Sequence, residues 1–156
     1  HAERCISVAD SGGYAVATEN YCWGSNSQIL GCGMKLMMAY ELTSDRKYYD
    51  YASEQLAYLL GKNPMDICYV TGYGANFPSD PHHRPSIAKE TAVRGMVVGG
   101  PNTNMQDELT RQLFRNAYPA LCYIDDHESY STNEVDTYWN TLAVLLSAFI
   151  IKYCSR

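Results

Sequence analysis

Two groups of residues in this 156-residue chain carry side chains suited to bond chemistry. The first is Val70-Thr71-Gly72-Tyr73-Gly74-Ala75-Asn76-Phe77-Pro78-Ser79-Asp80-Pro81-His82-His83-Arg84. Glycines and prolines dictate its path, and His82 and Arg84 follow at i, i+2. In an extended segment those two positions face one side, which gathers donors for hydroxyl oxygens or for a carboxylate. A loop held together by its own Arg and His bonds would use the same residues. The second group is Asp125, Asp126, Glu128 and Glu134, interleaved with Tyr123, Tyr130 and Trp139. Closely placed carboxylates raise one another's pKa, and burial beside aromatic rings adds to the effect. A glutamate so tuned can donate a proton near neutral pH. Glu134 has a competing structural use, because Ser131 and Glu134 spell S-x-x-E, a capping box at a helix start.

These groups sit between elements that must hold them. Residues 1–22 show no sustained periodicity, and Ser11-Gly12-Gly13 is a turn signal. Trp23 to Leu42 reads as a helix that Ser25 or Asn26 can cap, with Ile29, Gly33, Leu36, Met37 and Tyr40 on one face. Gly31 and Gly33 make sense there if another backbone comes close. Arg46 to Leu60 is a second helix, stopped by Gly61 and Pro64 and joined to the first as an antiparallel hairpin. Residues 62–106 run without regular pattern, and Gln106 to Ala117 fits a short helix with acidic residues early and arginines late. The last helix starts at the capping box and carries Trp139, Leu142, Ala143, Leu146, Phe149, Ile150 and Tyr153 on one face. Val144, Leu145 and Ala148 fall on its other faces, so it is apolar nearly all round and calls for surrounding elements. Three long helices cannot supply that cover and also support so long an irregular segment. The chain is therefore expected to be part of a larger helical domain, or to need a partner.

Composition excludes several classes. Apolar content of 46% is that of a globular protein. A net charge of −5, with Lys and Arg scattered, argues against nucleic acid and anionic membrane surfaces. The apolar run from Leu142 to Ile151 is about half a membrane span. No signal peptide is visible, and a start at His1 points to processing or to a longer parent chain. The six cysteines form no C-x-x-C pair, which argues against zinc-knuckle and thioredoxin-type sites, and Cys32 and Cys154 read as buried thiols. Tyrosine, at 14 residues, suits flat amphipathic ligands such as sugars as well as plain packing between helices.

Gly74-x-Asn76-x4-Pro81-His82-x-Arg84 resembles the histidine signature of glycoside hydrolase family 9 cellulases. Tyr123-x-Asp125-x4-Tyr130-x3-Glu134, followed by Asn140-Thr141, resembles that family's second signature. Tyr21-Cys22-Trp23-Gly24-Ser25-Asn26, Ala39-Tyr40-Glu41-Leu42-Thr43, Leu59 to Pro64 and Gly99-Gly100-Pro101 match in the same order. Cys68 and Asp136 depart from the usual residues, and residues 103–122 are longer than the usual link.

The resemblance implies an all-α (α/α)6 toroid, present here only as its C-terminal part (residues 1–156), with long irregular active-site loops. It implies inverting hydrolysis of β-1,4-glucan by a secreted enzyme. Glu134 would be the general acid, with Asp125 as its acidic partner. His82 and Arg84 would bind glucose hydroxyls, with His82 counted among the catalytic groups. Tyr130 and Trp139 would stack on or wall the sugar subsites. The base, an Asp from an Asp-rich motif, has no match here, so the remaining N-terminal part of the domain is an expected partner beside a β-1,4-glucan or cello-oligosaccharide. No cofactor is required. Calcium is possible as a structural ion, although no loop of EF-hand spacing appears. A non-catalytic carbohydrate-binding module that retains the cleft aromatics is the alternative.

Overall fold

The stripe Ile29, Leu30, Leu36 and Met37 on α2 (Ser25–Thr43) is fully buried, and the rest of the molecule packs around it. The computed structural model describes residues 1–154. Ser44 turns the chain, the Asp45 carboxylate accepts the Lys47 amide at 3.1 Å, and α3 (Arg46–Leu59) returns antiparallel to α2. The hairpin is as expected, and Gly61 follows the end of α3. The long C-terminal helix, labelled α7 below (Thr137–Tyr153), lies across α2 and α3. At Gly33 a Cβ would come within 2.6 Å of Leu146 Cδ2 and 3.2 Å of Gln55 Cβ. The close approach expected there exists, made by side chains rather than backbone, whereas Gly31 faces open space.

The segment read as patternless at the start of the chain is a helix, α1 (Ala2–Ser11). Its apolar positions Ala2, Cys5, Ile6 and Ala9 do keep helical spacing, but only Ile6 is large, and Cys5 and Ala9 are buried. Gln55, fully buried on α3, ties the following segment down. Its Oε1 accepts the Ala17 amide at 2.7 Å and its Nε2 donates to the Ala15 carbonyl at 2.9 Å.

Between α3 and α7 the chain is mostly irregular, with three short helices: α4 (Arg84–Lys89), α5 (Glu108–Leu113) and α6 (Tyr130–Asn133). No ladder of strands forms among the described residues. Isolated bridges pair Val70 with Val97, Val98 with Val135, and His82 with Glu134.

Four sequence expectations are corrected. Ser25 and Asn26 do not cap α2: Gly24 holds the N-cap position, while Ser25 Oγ and Asn26 Nδ2 donate to the Pro101 and Val98 carbonyls at 2.7 and 2.9 Å. The Ser131–Glu134 capping box does not exist. The short helix α6 ends at Asn133, Glu134 is extended, and α7 is capped by Asp136, whose Oδ1 accepts the Tyr138 amide at 2.7 Å. The aspartate that departs from the family signature is thus the cap. Cys154 is exposed and Cys32 half-buried, rather than both being core thiols. The patternless reading of residues 62–106 misses α4, which Pro85 starts as a first-turn proline.

The last helix is left partly uncovered. Leu146 and Tyr153 are buried, but Val144 is 67% and Ile151 71% exposed, beside Leu60 at 52%. Covering such a side chain is worth ~1.5–3 kcal/mol, so this face fits association with further protein. Among the described residues no helix is long and apolar enough to cross a membrane.

Candidate active site

Backbone hydrogen bonds bring the two sequence groups together. The His82 amide donates to the Asn133 carbonyl at 2.9 Å, which places His82 beside Glu134. From the other side the Gly99 amide donates to the Glu134 carbonyl at 3.0 Å, and the Gly100 amide to Thr132 at 2.9 Å. The Asn26 amide donates to the Gly99 carbonyl at 3.0 Å, which ties the start of α2 to the same place. Gly100 has φ +88°, and a Cβ there would strike Asn26 at 2.5 Å, so only glycine fits. Glu134 is therefore held by peptide groups on both flanks, and its side chain is spared from structural work.

The half-buried Glu134 carboxyl meets a row of rings. Trp23 Nε1 donates to Glu134 Oε2 at 3.0 Å. The Trp23 ring lies 5.5 Å from that of Tyr130, and Tyr130 lies 6.0 Å from His82. Tyr130 is fixed at its far end by donation from its hydroxyl to the Gln106 carbonyl at 2.8 Å. Trp23 and Tyr130 are each more than a third exposed, so a polar acid group stands at an open aromatic edge. His82 Nδ1 lies 2.5 Å from the His127 carbonyl. A carbonyl only accepts, so Nδ1 carries the hydrogen and Nε2 remains for another partner. His82 and Tyr130 also line a cavity with Ile87, Leu109, Gln112 and His127.

Asp125 is fully committed. Its Oδ2 accepts the Ser79 amide at 2.6 Å and the Ser79 hydroxyl at 2.8 Å, and its Oδ1 accepts the Asp80 amide and Asn133 Nδ2, each at 3.0 Å. It thereby clamps the segment leading to His82 against the residue before Glu134. Asn133 is held in turn by the buried Tyr123, whose hydroxyl donates to Asn133 Oδ1 at 2.6 Å. Burial pushes the Tyr123 hydroxyl well above its usual range, with the Asp125 charge adding to it, so Tyr123 stays a donor.

Two other expected residues lie outside the run of ring contacts from Trp23 through Tyr130 to His82. Arg84 opens α4 and is exposed, and no hydrogen bond or ion pair anchors its guanidinium among the described residues. Trp139 is half-buried, and its ring covers Gly24 and Gly99, where added Cβ atoms would lie 2.9 and 3.4 Å from it. Gly24 has φ +77°, so this ring and the backbone both demand glycine beside Trp23.

Two residues were missed by sequence reasoning. Trp23 was seen only as part of a matching stretch, because nothing in its spacing relates it to Glu134. Asp107 is buried, caps α5 by accepting the Thr110 amide at 2.7 Å, and reaches α6, where Oδ2 accepts the Ser131 amide at 3.1 Å and the Ser131 hydroxyl. Burial opposes its charge, but the Ser131 and Thr110 donors outweigh burial and hold it below the ordinary carboxylate range. Its signal was the D-x-x-T pattern of a helix start.

Asp80, Asp126 and His127 place ligand atoms within 4.8 Å of one another. Asp80 Oδ2 already takes His127 Nδ1 at 2.8 Å, and the hydrogen bond to Asp80 raises the His127 pKa. An imidazole among so few oxygens does not suit calcium, which takes six to eight oxygen ligands.

The site is thus a half-buried carboxyl at an exposed edge of aromatic rings on a helical scaffold. The model of Glycosyl hydrolase family 9 matches residues 3–147. A cellulose 1,4-beta-cellobiosidase from Acetivibrio thermocellus is 38% identical over 83% of this chain and 15% of its own length. A cellodextrinase from Butyrivibrio fibrisolvens is 35% identical over 97% of this chain and 28% of its own length. Among solved structures, a thermostable endoglucanase (D468A) from Alicyclobacillus acidocaldarius superposes with a TM-score of 0.85, at 36% identity, over 96% of this chain and 29% of that one.

The chain belongs to glycosyl hydrolase family 9. Its helices are those of the (α/α)6 fold of the family's endoglucanases, and it spans less than a third of the length of these relatives.

Proposed function

We propose that this chain is the C-terminal portion of a family 9 catalytic domain that hydrolyses β-1,4-glucosidic bonds in cellulose or related β-glucans with inversion. The observation that carries the proposal is the Glu134 carboxyl, released from helix capping and set at the exposed edge formed by Trp23 and Tyr130. The names of its relatives, which act on cellulose and cellodextrins, support the substrate class. A related structure bound to a cellobiose-like isofagomine supports it further.

In this reading Glu134 is the general acid that protonates the leaving glycosidic oxygen. Asp125 is a positioning residue, since all its acceptor capacity goes to Ser79, Asp80 and Asn133. His82 offers Nε2 to a glucose hydroxyl, and the unanchored Arg84 guanidinium reaches a neighbouring one. Tyr130 walls the sugar site, and Trp139 supports the turn that carries Trp23. The base lies in the remaining N-terminal part of the domain, an Asp roughly 6.5–9.5 Å from Glu134 with water between them. The same part covers Val144 and Ile151. The whole is a secreted enzyme that needs no cofactor, and this chain alone is inactive.

The test is Glu134→Gln in the complete domain. Turnover of a soluble cello-oligosaccharide should fall by roughly 10²–10⁴-fold, with binding kept and, in the parent, a product of inverted anomeric form seen by NMR. A loss of tenfold or less would remove Glu134 from the acid role.

A further inference from the structure

The bond between Trp23 and Glu134 has a chemical consequence for a group that must lose a proton. The two residues come from opposite ends of the chain, and Trp23 Nε1 reaches Glu134 Oε2 at 3.0 Å. An indole N–H donates and cannot accept. The oxygen it faces is therefore favoured as the carbonyl oxygen of the protonated carboxyl, because a carboxylic O–H oxygen is a poor acceptor and carries its own hydrogen. Once the proton has left, the same N–H faces a carboxylate oxygen, and the bond strengthens as charge develops.

We propose that Trp23 is a positioning residue for Glu134: its indole N–H assigns the transferable proton to Oε1 and stabilises the carboxylate left behind. This rests on Glu134 being the general acid. In the step, the Oε1–H bond breaks and its proton passes to the glycosidic oxygen as the bond from that oxygen to the anomeric carbon breaks. The electron pair of the O–H bond stays on Glu134. Water forms the new bond to the anomeric carbon, and its proton goes to the base outside this chain.

The alternative use of Trp23 is as a sugar platform or as packing against Tyr130, whose ring is 5.5 Å away and tilted 44°. The two uses separate by leaving group. A dinitrophenyl leaving group departs without protonation, whereas a sugar hydroxyl needs it. A platform serves both substrates alike.

The experiment measures Trp23→Phe in the complete catalytic domain on a cello-oligosaccharide and on 2,4-dinitrophenyl β-cellobioside. A second form, with Trp23 replaced by benzothienylalanine, keeps the ring shape and removes the N–H, which guards against a folding defect in the first. On the oligosaccharide kcat should fall roughly tenfold to a hundredfold, the worth of one hydrogen bond to a charged group, with KM nearly unchanged. On the aryl cellobioside both forms should stay within about twofold of the parent. Equal losses on both substrates, or no loss on either, would overturn the assignment. Glu134→Gln on the same two substrates separates the levels. If that variant loses little on the oligosaccharide, the acid reading itself fails. If it shows the leaving-group dependence and the Trp23 forms do not, only the role of Trp23 fails.

Discussion

His82 and Glu134 are paired across a parallel backbone bridge, through the His82 amide and the Asn133 carbonyl at 2.9 Å. The pairing joins the two family signatures and gives the imidazole and the carboxyl a fixed relative position before any substrate arrives. Such preorganisation avoids reorientation during reaction.

Asp125 is the clamp on the histidine side. Asparagine in its place keeps the shape but turns one acceptor oxygen into a donor, which opposes either the Ser79 amide at Oδ2 or both the Asp80 amide and Asn133 Nδ2 at Oδ1. Hydrogen bonds to a charged group are worth about 1.5–3 kcal/mol each. Asp125→Asn should therefore speed amide exchange at Ser79 and Asp80 by roughly tenfold or more. Turnover should fall with it, although Asp125 has no acceptor capacity left for substrate. Exchange measured by mass spectrometry checks this, and unchanged protection of that segment would deny the clamp.

Asp107 is the clamp on the glutamate side, and its charge makes the effect pH-dependent. Its folded pKa lies below the unfolded value of about 3.9. The stabilisation is present above that value and is lost as pH falls through the folded one. Asp107→Asn should lower Tm at pH 7, by an amount matching about 1–3 kcal/mol for the weakened bonds to Ser131 and Thr110. The gap between parent and variant should narrow progressively below about pH 4. Thermal melts from pH 7 to pH 2.5 check it, and a gap independent of pH would exclude the charge as the cause.

Asp136 caps α7, and so Asp136→Ala should cost about 0.5–2 kcal/mol in chemical denaturation. Asp136→Ser, which restores a capping oxygen, should recover most of it. Ser131→Ala would act instead through Asp107 and α6, since Ser131 caps nothing.

The helices that carry large apolar side chains at regular spacing were legible from sequence: α2, α3 and the body of α7. Helix α1 was not, because Ala2, Cys5 and Ala9 are small, and its burial comes from α2 and α3 rather than from its own pattern. The capping box was misread because S-x-x-E and the true D-T-Y start lie five residues apart, and local signals cannot choose between them. In the site, Glu134, His82 and Tyr130 were legible through family signatures and do come together. Trp23 and Asp107 were not, since both act across distances in sequence that only the folded chain closes. The exposed apolar face of α7 was legible in part, from an excess of apolar residues larger than one buried stripe requires.

Because the main chain at Asn133 and Glu134 is bonded to the amides of His82 and Gly99, a change of length here disturbs more than a change of any side chain that makes no contact of its own. One residue gained or lost beside Glu134 would put it out of register with His82 and Gly99, and would swing the carboxyl away from Trp23 while sparing its identity. Surviving variants of this segment should therefore keep its residue count as strictly as they keep Ser131, Asn133 and the glycine at position 100.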